Sequence, residues 1–279
     1  MKRILITGGE GQLGRELAER LRTRYQVYAA AKRELDVTNR RQVEACFESI
    51  RPHIVIHAAA YTNVDQAEIE PREAVRINGF GTMNIAAAAE AVHAKLIYIS
   101  TDYVFDGSKE SPYLEEDEPG PVNVYGLSKL VGERFVEAIH TRAFIIRTSW
   151  LYGKYGSNFV ARVLKHAESG IEMRVVNDQF GSPTYAVDVC AWIERLMETE
   201  RYGTYHVANS GSCSWYEFAA SISRLSGKPL AIAQSQSLDM QSAAKRPRYS
   251  ALQSGHCDIG DSIRPVLRDW VSALREYLE

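Results

Sequence analysis

The sequence contains few cysteines, and none of them stand close together. The four are spread over most of the 279 residues, at Cys46, Cys190, Cys213 and Cys257. This spacing favours neither a disulfide framework nor a cysteine-bound zinc site. The seven histidines are equally dispersed and show no HExxH or similar ligand spacing, so we predict no metal.

A strong net charge and a long apolar run are also missing. The formal net charge is −2, which provides no electrostatic reason to expect nucleic acid or an anionic membrane as a partner. The apolar run at Ile4, Leu5 and Ile6 is too short for a signal peptide or a membrane span. We therefore expect a cytoplasmic enzyme with reduced thiols.

Short apolar runs alternate with longer helical patterns in the first half of the chain, which is typical of parallel βαβ units. The runs at residues 54–56 and 96–99 are almost continuously apolar, as expected for strands covered by helices on both faces. The strands are predicted at residues 4–6, 27–30, 54–57, 96–99 and 144–146. The predicted fold class is α/β, a Rossmann-type doubly wound parallel sheet with a smaller C-terminal substrate lobe.

The pattern changes after residue 150. Beyond it we predict strands at 173–176 and 204–207 and helices at 158–168, 187–197 and 267–278. Another helix begins at Ser214, which forms a capping-box pattern with Glu217. We predict an NADP(H)-binding domain over residues 1–150, to whose sheet some later segments return, and a mainly substrate-binding lobe over residues 151–279.

A glycine-rich turn lies between the first predicted strand and the first helix. Glycines at such a junction permit a tight turn and let backbone amides approach a pyrophosphate at the helix N-terminus. A glycine-rich turn alone is weak evidence, but this position favours cofactor binding. The predicted contacts are Gly8, Gly11, Gln12 and Leu13.

The end of the second strand bears on the choice between NAD and NADP. An acidic residue there would bind the ribose 2′-hydroxyl, whereas a basic residue would accommodate a 2′-phosphate. The chain has Lys32 and Arg33 at this point, with Glu34 and Asp36 slightly later. This favours NADPH, with NADH as an alternative; the competing interpretation is that both cations are solvated loop charges.

Three residues form a candidate catalytic set. Tyr125 and Lys129 are four residues apart, so on a helix both point into one cleft. A nearby cation favours the phenolate, so we expect Lys129 to lower the pKa of Tyr125. Thr101 ends the fourth strand together with Ser100, where ligands of open α/β sheets bind. Such a Tyr/Lys pair also arises by chance, and a threonine there also serves as a turn cap.

These motifs together resemble the extended short-chain dehydrogenase/reductase family, in particular its reductases of dTDP-linked 4-keto-6-deoxysugars. The resemblance covers nearly the whole chain. Its most diagnostic strings are STDYVFDG at 100–107 and TSWLYG at 148–153. Further matches are GQLG at 11–14, LDVT at 35–38, HAAAYT at 57–62, VYGLSK at 124–129, DQFGSPT at 178–184 and KRP at 245–247.

The resemblance implies reduction of the C4 keto group of dTDP-4-dehydrorhamnose to dTDP-L-rhamnose by NADPH. Tyr125 would donate the proton, Lys129 would hold the nicotinamide ribose, and Thr101 would bond the carbonyl oxygen. Further cofactor contacts would be Asp36 and Val37 near the adenine and, after the third strand, Ala58, Ala59, Ala60 and Tyr61. Beside the substrate would lie Asp102, Tyr103 and Trp150.

Several of these residues have structural explanations as well. Trp150 is equally expected as core between the lobes, Asp102 as a turn cap, and the three alanines as close helix packing. Arg246 and Arg248 suit a substrate diphosphate because a guanidinium fork matches phosphate oxygens, although a solvated basic loop explains Arg248 at least as well.

The chain departs from the family pattern at two places. Ser242 and Ala243 stand where the family often has a proline, and residues 253–261 match poorly. These departures concern the outer substrate pocket and not the reaction centre. Some family members dimerise through a metal bridged by glutamates, but those positions do not match securely here. We expect a monomer or homodimer without a metal.

Two other functions remain open from the sequence. An NDP-sugar epimerase or dehydratase has the same fold, but a dehydratase normally has an Asp-Glu pair after the threonine, where this chain has Asp102 and Tyr103. A non-catalytic NADP-binding regulatory subunit is the second alternative, since fold alone does not establish activity. The complete set of Thr101, Tyr125 and Lys129 argues against it.

Overall fold

The computed structural model of the protein describes residues 1–254 and 267–279. Cys257 and most of the stretch 253–261 lie outside the described residues. The strands are β1 (Arg3–Thr7), β2 (Gln26–Ala30), β3 (Ile54–His57), β4 (Lys95–Thr101), β5 (Ala143–Thr148), β6 (Leu151–Tyr152), β7 (Met173–Val176), β8 (Phe180–Gly181), β9 (Thr184–Tyr185), β10 (Gly203–His206), β11 (Cys213–Ser214) and β12 (Ile232–Ser235). The α-helices are α1 (Gln12–Leu21), α2 (Arg40–Ile50), α3 (Val64–Ile69), α4 (Pro71–Val75), α5 (Thr82–Ala91), α6 (Val124–Ile139), α7 (Phe159–Ser169), α8 (Ala186–Leu196), α9 (Trp215–Ser226) and α10 (Trp270–Leu278).

A six-stranded parallel sheet forms the centre of the fold, in the order β10-β5-β4-β3-β1-β2. The chain runs from β1 outward to β2, then crosses back to place β3 on the other side of β1. Ligands of open α/β sheets bind outside the carboxyl ends of the strands at such a reversal. The predicted Rossmann-type fold class is confirmed, and the binding crevice is expected between the ends of β1 and β3.

The strands of this sheet alternate their side chains between two apolar layers, although their sequences are continuously apolar. In β1, Ile4 and Ile6 face the core beneath α1 and α8, whereas Leu5 faces the core beneath α2, α5 and α6. Both faces are therefore buried, as predicted for a sheet covered by helices on both sides.

The helical stretch before α5 departs from α-helical geometry. Residues Arg76–Gly81 form a π-helical turn between α4 and α5. Asn78 lies in this turn and is completely buried. Single π-helical turns frequently occur at functional sites, and this one bonds through Asn78 to Tyr61 in the segment after β3.

The later part of the chain forms a third apolar cluster, built mainly on α7, α9 and α10 with three two-stranded pairings. The capping box predicted at Ser214 is confirmed, since Glu217 N donates to Ser214 Oγ and Ser214 N to the Glu217 carboxylate. The last helix begins three residues later than predicted, because Asp269 caps it by accepting from Ser272 N. β10 returns to the central sheet beside β5; the division into domains at residue 150 stays a prediction.

No helix within residues 1–254 and 267–279 is both long enough and apolar enough to cross a membrane.

Candidate active site

The glycine-rich turn after β1 leaves no room for a side chain at Gly8 or Gly14. Gly8 has φ +68°, and a Cβ there would lie 2.7 Å from Ala59 N. A Cβ on Gly14 would lie 2.2 Å from the Gly8 carbonyl oxygen. Helix α1 follows Gly11, which provides no side-chain cap. Gly11 therefore leaves the first N–H groups of α1 without a side-chain partner. A helix N-terminus that binds phosphate needs such N–H groups.

A cavity of about 800 Å³ lies at the carboxyl ends of β1 to β5. The cavity runs from the glycine-rich turn to the ends of β4 and β5, so an extended ligand can lie across these strand ends. Among the predicted site residues, the cavity is lined by Gly8, Gly11, Gln12, Leu13, Lys32, Asp36, Val37, Ala58, Ala59, Ala60, Tyr61, Thr101, Asp102, Tyr125, Lys129 and Trp150.

The two cations after β2 lie in different surroundings. Lys32 lines the large cavity. Arg33 instead lines a smaller cavity of about 540 Å³ beside it and pairs with Glu10 at 2.8 Å. Of the two, Lys32 is the better placed to meet a ligand in the large cavity.

A buried hydrogen-bond chain supports the strip after β3. Thr7 Oγ1 contacts His57 Nδ1 at 2.7 Å, and His57 Nε2 contacts Thr82 Oγ1 at 3.1 Å. Ala59 N donates to Thr7 Oγ1, so the chain ties the cavity wall to β1 and α5. Burial, reinforced by the Lys129 charge, lowers the pKa of His57 to about 3. The imidazole is neutral and acts as a structural link.

Asn78 supports the same strip from the π-helical turn. Its side chain accepts from Tyr61 N at 2.7 Å and donates to Ser128 Oγ at 2.8 Å. It therefore joins the cavity wall to α6 between Tyr125 and Lys129. Asn78 was not among the predicted site residues; the signal in the sequence was Asn followed by Gly79 within a helical pattern, since both residues are poor helix formers.

Thr101, Tyr125 and Lys129 meet at the far end of the cavity. Thr101 is the last residue of β4, and its Oγ1 donates to Asp102 Oδ1 at 3.0 Å. Tyr125 is the second residue of α6, whose N-cap Asn123 accepts from Gly126 N at 2.8 Å. Lys129 follows one turn later and places its ammonium 4.2 Å from the ring centre of Tyr98. Residues from two distant segments thus line the same cavity.

The pKa values of this pair differ from the expectation. Burial raises the pKa of Tyr125 to about 12, and an interaction with the Thr101 hydroxyl only partly opposes the rise. Burial lowers the pKa of Lys129 to about 7, against the attraction of Glu133. The predicted lowering of the Tyr125 pKa by Lys129 is wrong for this state, because desolvation disfavours both charges. Tyr125 is a neutral phenol here.

Asp102 is buried next to Thr101 and accepts a hydrogen bond from a residue near the C-terminal end of the sequence. Ser250 Oγ donates to its Oδ2 at 2.5 Å. Burial raises the pKa of Asp102 to about 7, while the hydrogen bonds from Ser250 and Thr101 oppose the rise. Ser250 was not among the predicted site residues, because it stands 148 positions away from Asp102 in the sequence.

Trp150 lies both in an aromatic cluster and in the cavity lining. Its ring stacks on Trp215 with centroids 3.5 Å apart and an interplanar angle of 8°, and it also lines the cavity. Its φ of +45° is unusual for a bulky residue. Gly181 permits this placement, because a Cβ there would lie 2.4 Å from the Trp150 ring.

Two predicted substrate residues lie outside the cavity lining. The Arg246 fork binds Asp65 with two contacts of 2.5 and 2.6 Å, and hydrogen bonds from Arg246 lower the pKa of Asp65 to about 2. The Tyr103 ring meets Tyr125 edge-on at 5.9 Å. Neither position tests the substrate contacts predicted for Arg246 and Tyr103. Within the described ranges, no three His, Cys, Asp or Glu residues are grouped to hold a metal ion.

Comparison with known proteins places the chain in one family. The model of the RmlD substrate binding domain family matches residues 1–279. The spore coat polysaccharide biosynthesis protein SpsK of Bacillus subtilis is 43% identical over 281 residues, covering 100% of this chain and 98% of that protein. A dTDP-4-dehydrorhamnose reductase of Aggregatibacter actinomycetemcomitans is 40% identical, covering 99% of this chain and 98% of that protein.

A solved structure agrees with this placement. The dTDP-4-dehydrorhamnose reductase of Bacillus anthracis, crystallised in complex with NADP, superposes with a TM-score of 0.96 at 46% identity, and the match covers 99% of both chains. The resemblance seen in the sequence is thereby confirmed. The chain belongs to the RmlD substrate binding domain family, together with these dTDP-4-dehydrorhamnose reductases.

Proposed function

We propose that the protein is an NADPH-dependent reductase that converts the C4 keto group of dTDP-4-dehydrorhamnose into the hydroxyl of dTDP-L-rhamnose. One observation carries the proposal: Thr101, Tyr125 and Lys129 line the same cavity as the glycine-rich turn. The names of relatives that match nearly the whole chain support it.

The residues that line the cavity fit an NADP molecule. The crowded turn from Gly8 to Gly14 and the N-terminus of α1 suit a pyrophosphate. Lys32 suits a 2′-phosphate, since no carboxylate occupies the strand end that would bind a free 2′-hydroxyl. Asp36 and Val37 are proposed to flank the adenine, and Ala58, Ala59, Ala60 and Tyr61 to follow the ribose. When bound, NADPH supplies the hydride.

Tyr125 is proposed to supply the proton. Because its pKa is about 12, the phenol is protonated at neutral pH and is ready to donate to the alkoxide that develops at the former carbonyl oxygen. The tyrosinate left behind regains its proton from solvent. Lys129, when protonated, stabilises that tyrosinate and holds the ribose.

Thr101 is proposed to donate a hydrogen bond to the substrate carbonyl, where negative charge grows during the reaction. Asp102, Tyr103 and Trp150 are proposed to surround the sugar, and Arg246 to meet the diphosphate. We further propose a cytoplasmic enzyme, which the free thiols of Cys46, Cys190 and Cys213 support, acting as a monomer or homodimer.

The dehydratase alternative is weaker because Tyr103 stands where a dehydratase has glutamate. An epimerase retains its nicotinamide cofactor tightly, so purified protein that carries none would favour the reductase. The regulatory alternative is weaker because all three candidate catalytic residues reach one cavity. An active reductase would exclude the second alternative outright.

The test is an NADPH oxidation assay with dTDP-4-keto-6-deoxyglucose and a 3,5-epimerase, comparing wild type with Tyr125→Phe. We expect Tyr125→Phe to lose about 100-fold or more in kcat while NADPH affinity stays nearly unchanged. Tyr202→Phe is the matched control, because Tyr202 directly precedes β10 and so lies at the amino ends of the parallel strands, whereas the cavity lies at their carboxyl ends. Equal rates in wild type and Tyr125→Phe would remove the phenol from the mechanism.

A further inference from the structure

One buried hydroxyl of the candidate active site has no hydrogen-bond partner. Thr148 is the last residue of β5 and is 7% exposed. Its Oγ1 finds no partner anywhere in the part of the chain that the structure describes. Thr148 nevertheless lines the large cavity and pairs in register with Thr101 on the neighbouring strand.

The neighbouring hydroxyls are all engaged within the protein. Ser100 donates to Glu133 at 2.5 Å, Thr101 to Asp102 at 3.0 Å, and Ser149 to the Ser182 carbonyl at 2.7 Å. Thr148 is the exception among these four residues at the ends of β4 and β5. Buried polar groups are nearly always satisfied, so an orphaned one requires an explanation. A ligand that supplies the missing hydrogen-bond partner would explain the unpaired Thr148 hydroxyl.

The position of Thr148 selects which part of a ligand it meets. The glycine turn lies at the ends of β1 and β3, whereas Thr148 lies beyond β4, on the side of the cavity that holds Tyr125 and Lys129. Under the proposed function, on which this inference rests, that side receives the reacting ring of the cofactor. The ring bears a carboxamide, which both donates and accepts hydrogen bonds, and a hydroxyl can do the same.

We propose that the Thr148 hydroxyl binds the carboxamide of the nicotinamide ring and so fixes the rotation of the ring relative to Tyr125 and Thr101. The hydroxyl is left unpaired in the protein because its partner arrives with the cofactor. Thr148 is a binding residue for the nicotinamide end alone. It does not contribute to the grip on the adenosine and pyrophosphate.

The binding test uses the full chain and two ligands. Calorimetry measures the Kd of NADP⁺ and of 2′-phospho-ADP-ribose, which is the same molecule without the nicotinamide. Thr148→Val keeps the shape but removes the hydroxyl, and we expect it to weaken NADP⁺ binding about 5-fold, the loss of one ordinary hydrogen bond. The Kd of the ring-less ligand stays unchanged, and Thr148→Ser restores NADP⁺ binding.

The matched control is Ser149→Ala, since this hydroxyl lines the same cavity but is already bonded to Ser182. It should leave the ratio of the two Kd values as in wild type. An equal loss of affinity for both ligands in Thr148→Val would overturn the inference. So would a loss of affinity for the dTDP-sugar substrate alone. So would a wild-type protein that does not prefer NADP⁺ to the ring-less ligand.

A stability measurement separates a ligand role from a structural one. If the hydroxyl has no partner in the cofactor-free protein, replacing it with a methyl group leaves the Tm equal or higher. A clear fall in the Tm of cofactor-free Thr148→Val would show that the hydroxyl is bonded within the protein and would contradict the proposal. None of these measurements requires turnover. A wild-type protein that binds NADP⁺ but reduces no sugar would refute the proposed function only. An active enzyme whose NADP⁺ affinity is unchanged in Thr148→Val would refute this inference only.

Discussion

Glu133 and Arg147 form a buried ion pair directly behind the candidate active site. Arg147 donates to the two carboxylate oxygens of Glu133 at 3.0 and 2.7 Å, and the two side chains are 0% and 4% exposed. Ser100 donates to the same carboxylate. The pair thus joins α6, one turn after Lys129, to the ends of β4 and β5.

Removing one member of this pair should destabilise the protein strongly. Glu133→Gln leaves the guanidinium of Arg147 charged and unpaired in the interior, and we expect the free energy of unfolding to fall by about 3–5 kcal/mol. Urea denaturation measures it. Glu137→Gln is the control on the same helix, because the Arg134–Glu137 pair is exposed and should contribute less than about 1 kcal/mol. Similar losses in both variants would contradict the assignment.

The stability of the cofactor-free protein should depend on pH through Lys129. Its pKa is lowered from 10.5 to about 7 by burial, so between these values the folded protein has released a proton that the unfolded chain still binds. Stability contributed by this residue therefore rises with pH across that window. Below pH 7 the folded protein bears the full cost of a buried ammonium.

Lys129→Met, which has no charge to bury, isolates this contribution. Urea unfolding from about pH 6 to about pH 9 should show wild type less stable than Lys129→Met at the acid end, with the difference shrinking as pH rises. A difference that stays constant over this range would mean that Lys129 keeps its proton, and the lowered pKa would be wrong.

The two cations after β2 should contribute unequally to cofactor choice. Lys32 lines the cavity, whereas Arg33 lies outside it and pairs with Glu10. We expect Lys32→Ala to reduce the preference for NADPH over NADH about 10-fold, by removing a charge-assisted contact to the 2′-phosphate. The ratio of kcat/KM values for the two cofactors measures this preference. Arg33→Ala is the comparison, and a larger effect from it than from Lys32→Ala would reverse the assignment.

Arg246 and Arg248 should also separate by experiment. Arg246 is half-buried and oriented by Asp65, whereas Arg248 is exposed. If Arg246 meets the substrate diphosphate, Arg246→Gln should raise the KM for the sugar nucleotide about 10-fold with little change in kcat. Arg248→Gln should change neither constant appreciably. Unchanged KM in Arg246→Gln would leave the Asp65 pair as a purely structural contact.

Local sequence was sufficient to predict the main sheet and one end of the site. Gly8 and Gly11 stand within a few residues of the strand and helix that they join, and the spacing of Tyr125 and Lys129 depends only on helical geometry. These features depend on short-range rules, so a single sequence contains them.

The remainder depends on contacts between distant parts of the chain. Asp65 meets Arg246 and Asp102 meets Ser250 across the whole fold, and no periodicity links such residues. The π-helical turn at Asn78 depends on its bonds to Tyr61 and Ser128. The predicted lowering of the Tyr125 pKa was wrong, because this pKa depends on how completely the phenol is removed from water. That degree of burial is a property of tertiary packing.

The place of β10 in the central sheet has a consequence for biosynthesis. β5 ends at Thr148, but its outer neighbour begins only at Gly203. While the ribosome makes the intervening segment, the nascent chain presents β5 as an open, apolar edge that invites pairing with other chains. Translation that stalls in this interval therefore leaves an aggregation-prone product, and shielding by chaperones matters most there.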